Sequence, residues 1–418
     1  MGKGGIVAGR VHPRIKQILR GVKAEAKLRR EGILRFNKRW RSWTIRMVRQ
    51  QVLPREVVLT SDPTLMDSEY LATCTYKAAC NRLKDPDLWK GYLGRLDVIL
   101  HEISPLHFGY LMWGLGKVQF PGVSVARYNR IADRATQLVP EMTSFGMMAT
   151  LWTLKRALIV PPEPLLSLIA SRIISEPDKF RPSDYIRICN VLGFFGHGKN
   201  DENFRNSISS AAIQKFESDV FAQDFREAID HVALVNLWND EMRGYILDRF
   251  RKIFITARPN HLLKAYESAV AVRVLAPTAW SSAHLTEKTR GFYTSLALRH
   301  ISTASRGMSK FHREVSDILA SANDLKIAHR NMFRWGPFWI DIGIEENGND
   351  DKHTCIVLDK KSSYWANRSR DLTEKARIED ELLRNVGWRV VHINHREWRE
   401  TKTEQGRVDM LVRSLKSS

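Results

Sequence analysis

Cysteine is scarce in this chain: the four thiols, Cys74, Cys80, Cys189 and Cys355, form no CxxC pair and no metal-ligand spacing. Neither a disulfide framework nor a zinc ribbon is indicated, and a reducing compartment, or simply buried thiols, is expected. Long apolar runs are also missing. None reaches the ~18 residues that a membrane-spanning helix needs. No pattern calls for a cofactor, a resident metal or a small-molecule substrate, and none is expected. What is present is apolar content: 43% of the 418 residues are hydrophobic, ample to offset ordering entropy and exclude intrinsic disorder. That length predicts roughly two to three domains, because single cores stop growing near 250 residues.

Acidic residues are nearly absent from one stretch. Residues 1–50 hold 15 Lys+Arg and only Glu25 and Glu31, which places +13 of the formal net charge of +20 there. Residues 309–418 are almost balanced, with 20 basic and 18 acidic groups, and the middle of the chain carries the remaining +5. Residues 1–57 therefore read as a basic arm. Its cations Arg29, Arg30, Arg35, Lys38, Arg39, Arg41 and Arg46, with Phe36, Trp40 and Trp43 between them, suit a segment laid against RNA. Cations neutralise phosphates by counterion release, and flat rings stack on bases. A mitochondrial transit peptide is the competing reading, since such peptides are also Arg-rich and acid-poor. Against it, Ser42 is the first Ser or Thr of the chain, where transit peptides are rich in Ser. A basic membrane-surface helix is a third possibility. Myristoylation at Gly2 is disfavoured because Ile6 stands where the motif wants Ser or Thr.

Between residues 58 and 300 the pattern repeats. The segment from Pro105 to Leu115 aligns with Ser144–Leu154 and again with Ser183–Gly193, at a step of 39 residues that puts Trp113, Trp152 and Val191 in register. Stepping outward reaches Met66 on one side and Ala222 and His261 on the other, with weaker agreement. Each unit holds a second apolar stretch of period near 3.6, such as Leu165 to Ile173, and Pro and polar clusters such as Pro161-Pro162-Glu163-Pro164 mark the boundaries. Two helices per unit is the grammar of an α-solenoid, so about six 39-residue helix pairs are predicted. Trp113 and Trp152 are expected in the inter-repeat core. Solenoids present extended surfaces to RNA or to protein, and the fold alone does not choose.

From residue 309 to 418 the pattern changes to a small α/β domain. A helix around Phe311–Leu319 precedes a strand at Phe338–Ile344, a turn containing Asn347-Gly348, and a strand at Cys355–Asp359. A helix over Leu372–Asn385, capped by Gly387, leads to a strand at Trp388–Ile393 and a last helix near Gln405–Leu415. His392 and His395 are expected to be core or rim histidines rather than a metal pair, and Trp388 to pack the sheet against a helix.

These residues carry a resemblance. Ser309 with Glu314-Val315 and Leu319, Ile340-Asp341-Ile342, Ile356-Val357-Leu358-Asp359, Leu382-Leu383, Gly387-Trp388-Arg389-Val390-Val391 and Glu397-Trp398 are similar to the RAP domain. The Gly-Trp strand followed by Glu-Trp is the most specific part. The resemblance implies an RNA-binding module whose fold is related to PD-(D/E)XK nucleases, sitting C-terminal to helical repeats in organelle-targeted proteins. The upstream units resemble the arrays of the FAST-kinase-type and octotricopeptide-type RAP proteins. The chain also departs from the family, which reads Glu-x-Asp-Gly-x-x-His on the second strand. Val357 stands in place of the Glu, Lys360 of the Gly and Ser363 of the His, and Glu379 replaces a Lys in the following helix.

The overall expectation is a mostly α protein that binds RNA without catalysis. The resemblance implies an organelle, the mitochondrion (its matrix) or alternatively a plastid. An arm so dense in charge suits a permanent ribonucleoprotein, so a structural component of the mitochondrial ribosome is expected, partnered by rRNA and neighbouring ribosomal proteins. A trans-acting factor for RNA stability, processing or translation is the alternative. A metal-dependent endonuclease is a further one, because Asp341 with Asp359-x-Lys361 matches D…DxK, and strand alternation would put Asp359 and Lys361 on one face. A match of three residues in a Lys-rich turn arises easily by chance. In this domain the expected RNA contacts are Lys360, Lys361, Arg368 and Arg370, with Trp365 between them as the best stacking candidate of five tryptophans and packing as its alternative.

Overall fold

The computed structural model describes residues 62–218, 228–253, 259–297, 307–322, 325–345 and 353–417. The basic arm lies outside them. Thirteen helices precede residue 300 among the described residues: α1 (Ser68–Cys80), α2 (Pro86–Ile99), α3 (Pro105–Val118), α4 (Val125–Leu138), α5 (Ser144–Ala157), α6 (Glu163–Ser175), α7 (Pro182–Phe194), α8 (Glu202–Ser218), α9 (His231–Asn236), α10 (Asp240–Ile253), α11 (Pro259–Leu275), α12 (Pro277–Ser281) and α13 (Glu287–Ala297). The predicted helix pairs are therefore present, six of them. The first four units begin at residues 68, 105, 144 and 182, close to the 39-residue step. The fifth departs from it: α9 begins at His231, past the expected Ala222, which is outside the described residues.

Local chemistry sets these boundaries. Ser104 and Thr143 cap α3 and α5 by accepting N–H bonds from His107 and Gly146. Gln119 and Leu158 end the same two helices in the left-handed conformation, with φ of 50° and 57°. The two ends are 39 residues apart, so the repeat extends to the manner of helix termination. First helices stack directly on one another in the order α1, α3, α5, α7, α9, α11, and second helices form an outer layer. Small residues permit the stacking: a Cβ on Gly109 would come within 2.9 Å of the Gly146 Cα, and one on Gly114 within 2.9 Å of the Thr75 carbonyl oxygen. Leu71, Trp89, Leu111, Leu151, Ile188, Trp238 and Phe250 are buried in one continuous core through the array. Cys74, Cys189 and Cys355 are buried and Cys80 is half-buried, and none of the four is in a disulfide. No helix among the described residues is long and apolar enough to cross a membrane.

The C-terminal unit contains α14 (Lys310–Ser321), β1 (His329–Trp335), β2 (Phe338–Glu345), β3 (His353–Asp359), α15 (Glu374–Asn385), β4 (Trp388–Asn394), α16 (His395–Glu400) and α17 (Glu404–Ser417). The sheet runs β1-β2-β3-β4, with β3 and β4 parallel and the other pairs antiparallel. Strand β1 and helix α16 are additions to the predicted elements. Gly336, at φ 57°, supplies the positive φ of the two-residue turn between Trp335 and Phe338. The turn expected at Asn347-Gly348 lies outside the described residues, between antiparallel strands. Gly387, at φ 95°, ends α15 as predicted.

One face of the sheet packs Ile342, Ile356, Leu358, Val391 and Ile393 against α14, α16 and α17. There the separated parts of the RAP-like pattern meet: the Trp398 indole N–H donates to Glu314 at 2.9 Å, and the Arg407 guanidinium lies over the Trp398 ring. The other face packs Ile340, Cys355, Trp388 and Val390 against Leu383 of α15, as expected of Trp388.

Candidate functional site

Helix α15 also joins the two units, because it packs on α9 and α11 of the array. The loop leading into it, residues 360–373, is the main tether. Ala366 donates its N–H to the Leu158 carbonyl at 2.7 Å, and the Asn367 amide makes two 2.9 Å bonds to the Val160 backbone. The left-handed end of α5 presents these backbone groups to the loop. Glu374, only 7% exposed, accepts from Asn236 and lies 3.4 Å from the Lys199 ammonium.

Trp365 takes the packing alternative rather than RNA stacking. Its indole is 4% exposed, stacked on Phe195 and at a steep angle to Phe194 at centroid distances of 5.5 and 5.4 Å, so the ring is spent on the junction. Lys360, Lys361, Arg368 and Arg370 around it are exposed, as contacts to phosphate require. The arm residues Arg29, Arg30, Arg35, Lys38, Arg39, Trp40, Arg41, Trp43 and Arg46 lie outside the described residues.

Beside the junction is a cavity of about 330 Å³ between α15, the sheet and α11. The pleat sets its floor: parallel pairing places His392 of β4 opposite Val357, two residue pairs from Asp359 and therefore on the same face, which α15 covers. His392 Nδ1 lies 3.0 Å from a carboxylate oxygen of the buried Asp359, and Nε2 lies 2.7 Å from Asp380 of α15. The Tyr364 hydroxyl donates to Asp359 at 2.6 Å. Burial by itself would push the imidazole pKa down, but the bonds to both aspartates more than reverse this and raise it to about 9. The ring is thus an imidazolium held between two carboxylates at neutral pH. Glu267 of α11 reaches the same cavity, and burial pushes its carboxyl up to about 7.

This geometry bears on the nuclease pattern. Asp341 and Asp359 both line the cavity, but Asp341 accepts the Leu358 N–H and Asp359 is committed to His392 and Tyr364. Lys361 does not line it. Strand β3 ends at Asp359 and Lys361 opens a single 3₁₀ turn, so the strand alternation that would have put the two on one face does not apply. No group of three or more His, Cys, Asp or Glu side chains arranged to hold a metal occurs among the described residues. Val357 and Glu379, two departures from the family pattern, line the same cavity. Five carboxyl groups there (Glu267, Asp341, Asp359, Glu379, Asp380) face Lys360, Lys375 and His392, which gives a phosphate no net attraction.

A second depression, a groove of about 460 Å³, opens on the array where α3, α5, α7 and α11 adjoin. Trp113 and Trp152 line it. Both pack against the array core, as the repeat pattern led one to expect, but they are half-buried. Each leans on the preceding unit, Trp113 on the Tyr76 ring at 4.7 Å and Trp152 on Gly116, while part of the indole stays open.

The family model described as RAP domain matches residues 356–413, from β3 to α17. The C-terminal unit thus contains a RAP domain over residues 356–413, a module that generally binds RNA, and a helical repeat array precedes it. No curated protein matches the chain.

Proposed function

We propose that the chain is a non-catalytic RNA-binding protein of the mitochondrion, a structural component of its ribosome that holds rRNA beside neighbouring ribosomal proteins. The observation that carries this reading is the combination of a RAP domain with an arm holding +13 of the +20 net charge. Such an arm supplies strong, sequence-independent grip, and grip of that kind belongs to a resident of a ribonucleoprotein more than to a factor that visits transcripts. Commitment of Asp359 and Asp380 to an internal imidazolium supports the non-catalytic part, because phosphodiester hydrolysis by this fold needs carboxylates converging on a divalent cation. Sedimentation of an organelle lysate through a density gradient at high salt tests the assignment. Co-migration with a ribosomal subunit is expected. Release to the top of the gradient, with transcripts bound in low salt, would instead identify a trans-acting factor.

A further inference from the structure

We propose that the groove across α3, α5 and α7 is a site for single-stranded RNA, in which unpaired bases pack against the open parts of the Trp113 and Trp152 indoles while the strand's phosphates lie along Arg156 and Arg187. The inference rests on the RNA-binding reading above and names a surface that neither the arm nor the RAP domain supplies.

Three observations converge on it. First, the two units present the same pair of groups in register. Trp113 with Lys117 and Trp152 with Arg156 are each one helical turn apart, the cation stands 5.9 and 5.0 Å from the ring centroid, and the second pair follows the first by 39 residues. Helical-repeat arrays that read single strands take one base per repeat through two or three side chains, so a group repeated in register is the pattern such reading needs. Second, these indoles are held but not enclosed. Trp89 and Trp238 in the same array are completely buried, whereas Trp113 and Trp152 keep part of the ring in the groove. Packing on Tyr76 and Gly116 fixes their orientation in advance, which lowers the ordering entropy that binding would cost.

Third, the charge selects the ligand. The groove is lined by Arg156, Arg187 and Lys264, and by Lys155, whose pKa burial pushes down, against one carboxylate, Asp230, which is itself paired with Lys264 at 3.4 Å. This is the reverse of the RAP cavity, with its excess of carboxyls. An anionic strand is attracted, and the chain's own arm, at +13, is repelled. Flat rings set between cations favour splayed bases over a duplex, whose bases are already stacked on one another.

The test uses the full-length chain and a fluorescent single-stranded oligonucleotide of mixed sequence, with the same oligonucleotide in duplex form as the comparison. Trp113→Leu combined with Trp152→Leu should weaken single-strand binding about tenfold or more, as expected for the loss of two stacked bases, and leave duplex affinity within about twofold. Arg156→Gln with Arg187→Gln leaves the indoles in place, so it tests the groove even if the tryptophan variant fails to fold. It should make the slope of log affinity against log salt shallower by roughly one unit or slightly more for the single strand. If wild type binds the oligonucleotide and both variants bind it equally well, the groove inference is overturned and the RNA-binding reading stands. If wild type binds neither strand nor duplex, both are overturned. Displacement of the oligonucleotide by poly-glutamate that is lost in both variants would overturn it in favour of an acidic protein segment.

Discussion

Replacing His392 with Ala is expected to destabilise the RAP domain by about 3–5 kcal/mol, the usual consequence of removing one partner from a buried charge pair. The side chain of Asp359 is completely buried beside His392, and Asp380 sits on the other side of the same ring. Without the imidazolium, two carboxylates face one another across a cavity that already holds Glu267, Asp341 and Glu379. The pH dependence separates loss of charge from loss of packing. The imidazole pKa is raised from the ordinary 6.5 to about 9. A group raised in this way binds its proton more tightly in the folded state, so its contribution is fully present below about 6.5 and is lost as pH rises through about 9. Near pH 7 it amounts to roughly 2 to 3 kcal/mol. Thermal melts across this window should show the wild-type midpoint falling with increasing pH and a flatter profile for the variant. A wild-type midpoint that does not change between pH 6.5 and 9 would rule out the imidazolium bridge.

Trp365→Ala should loosen the joint between the array and the RAP domain. Truncating a fully packed tryptophan costs about 3–5 kcal/mol, and here the lost contacts include the Phe194 and Phe195 rings across the junction. The Ala366 and Asn367 bonds to Leu158 and Val160 remain, but they are few. Denaturant unfolding of the variant should therefore split into separate transitions for the two units, with new protease sensitivity in the loop over residues 360–373. Unfolding identical to wild type would mean that the joint is held elsewhere. A Trp365/Phe195 double-mutant cycle should return a coupling of about 0.5–1.5 kcal/mol, as for other aromatic pairs.

Legibility in the sequence followed the range of the contacts. The helix pairs could be read because each unit repeats its own caps, small residues and aromatic positions, down to the left-handed ends at Gln119 and Leu158. The RAP domain could be read from local runs such as Gly387-Trp388 and Glu397-Trp398. Strand β1 could not: His329-Arg330-Asn331 and Arg334 give it the polar look of a loop, and it survives as a strand because it is the sheet edge. Asp359, Asp380 and His392 meet only through the parallel pairing of β3 and β4 beneath α15, which no spacing between them discloses. Trp365 could not be decided between stacking and packing for a related reason. Its neighbours in sequence are exposed cations, and the rings that bury it come from α7, some 170 residues upstream.

Trp113 and Trp152 lay between the two cases. Their register identified them as repeat positions, and at repeat positions burial is the default. Only the assembled array shows that each packs backward on one unit and leaves ring surface toward the next.

The most direct measurement is titration of end-labelled RNA with the full-length chain and with a chain lacking residues 1–50, in Mg²⁺ over a range of salt, followed by sizing of the RNA. Log affinity should fall steeply with log salt for the full-length chain and less steeply without the arm, and the RNA should remain uncut in both. Equal slopes would refute the assignment of grip to the arm. Mg²⁺-dependent shortening of the RNA that disappears with Asp359→Ala would refute the non-catalytic reading and restore the nuclease.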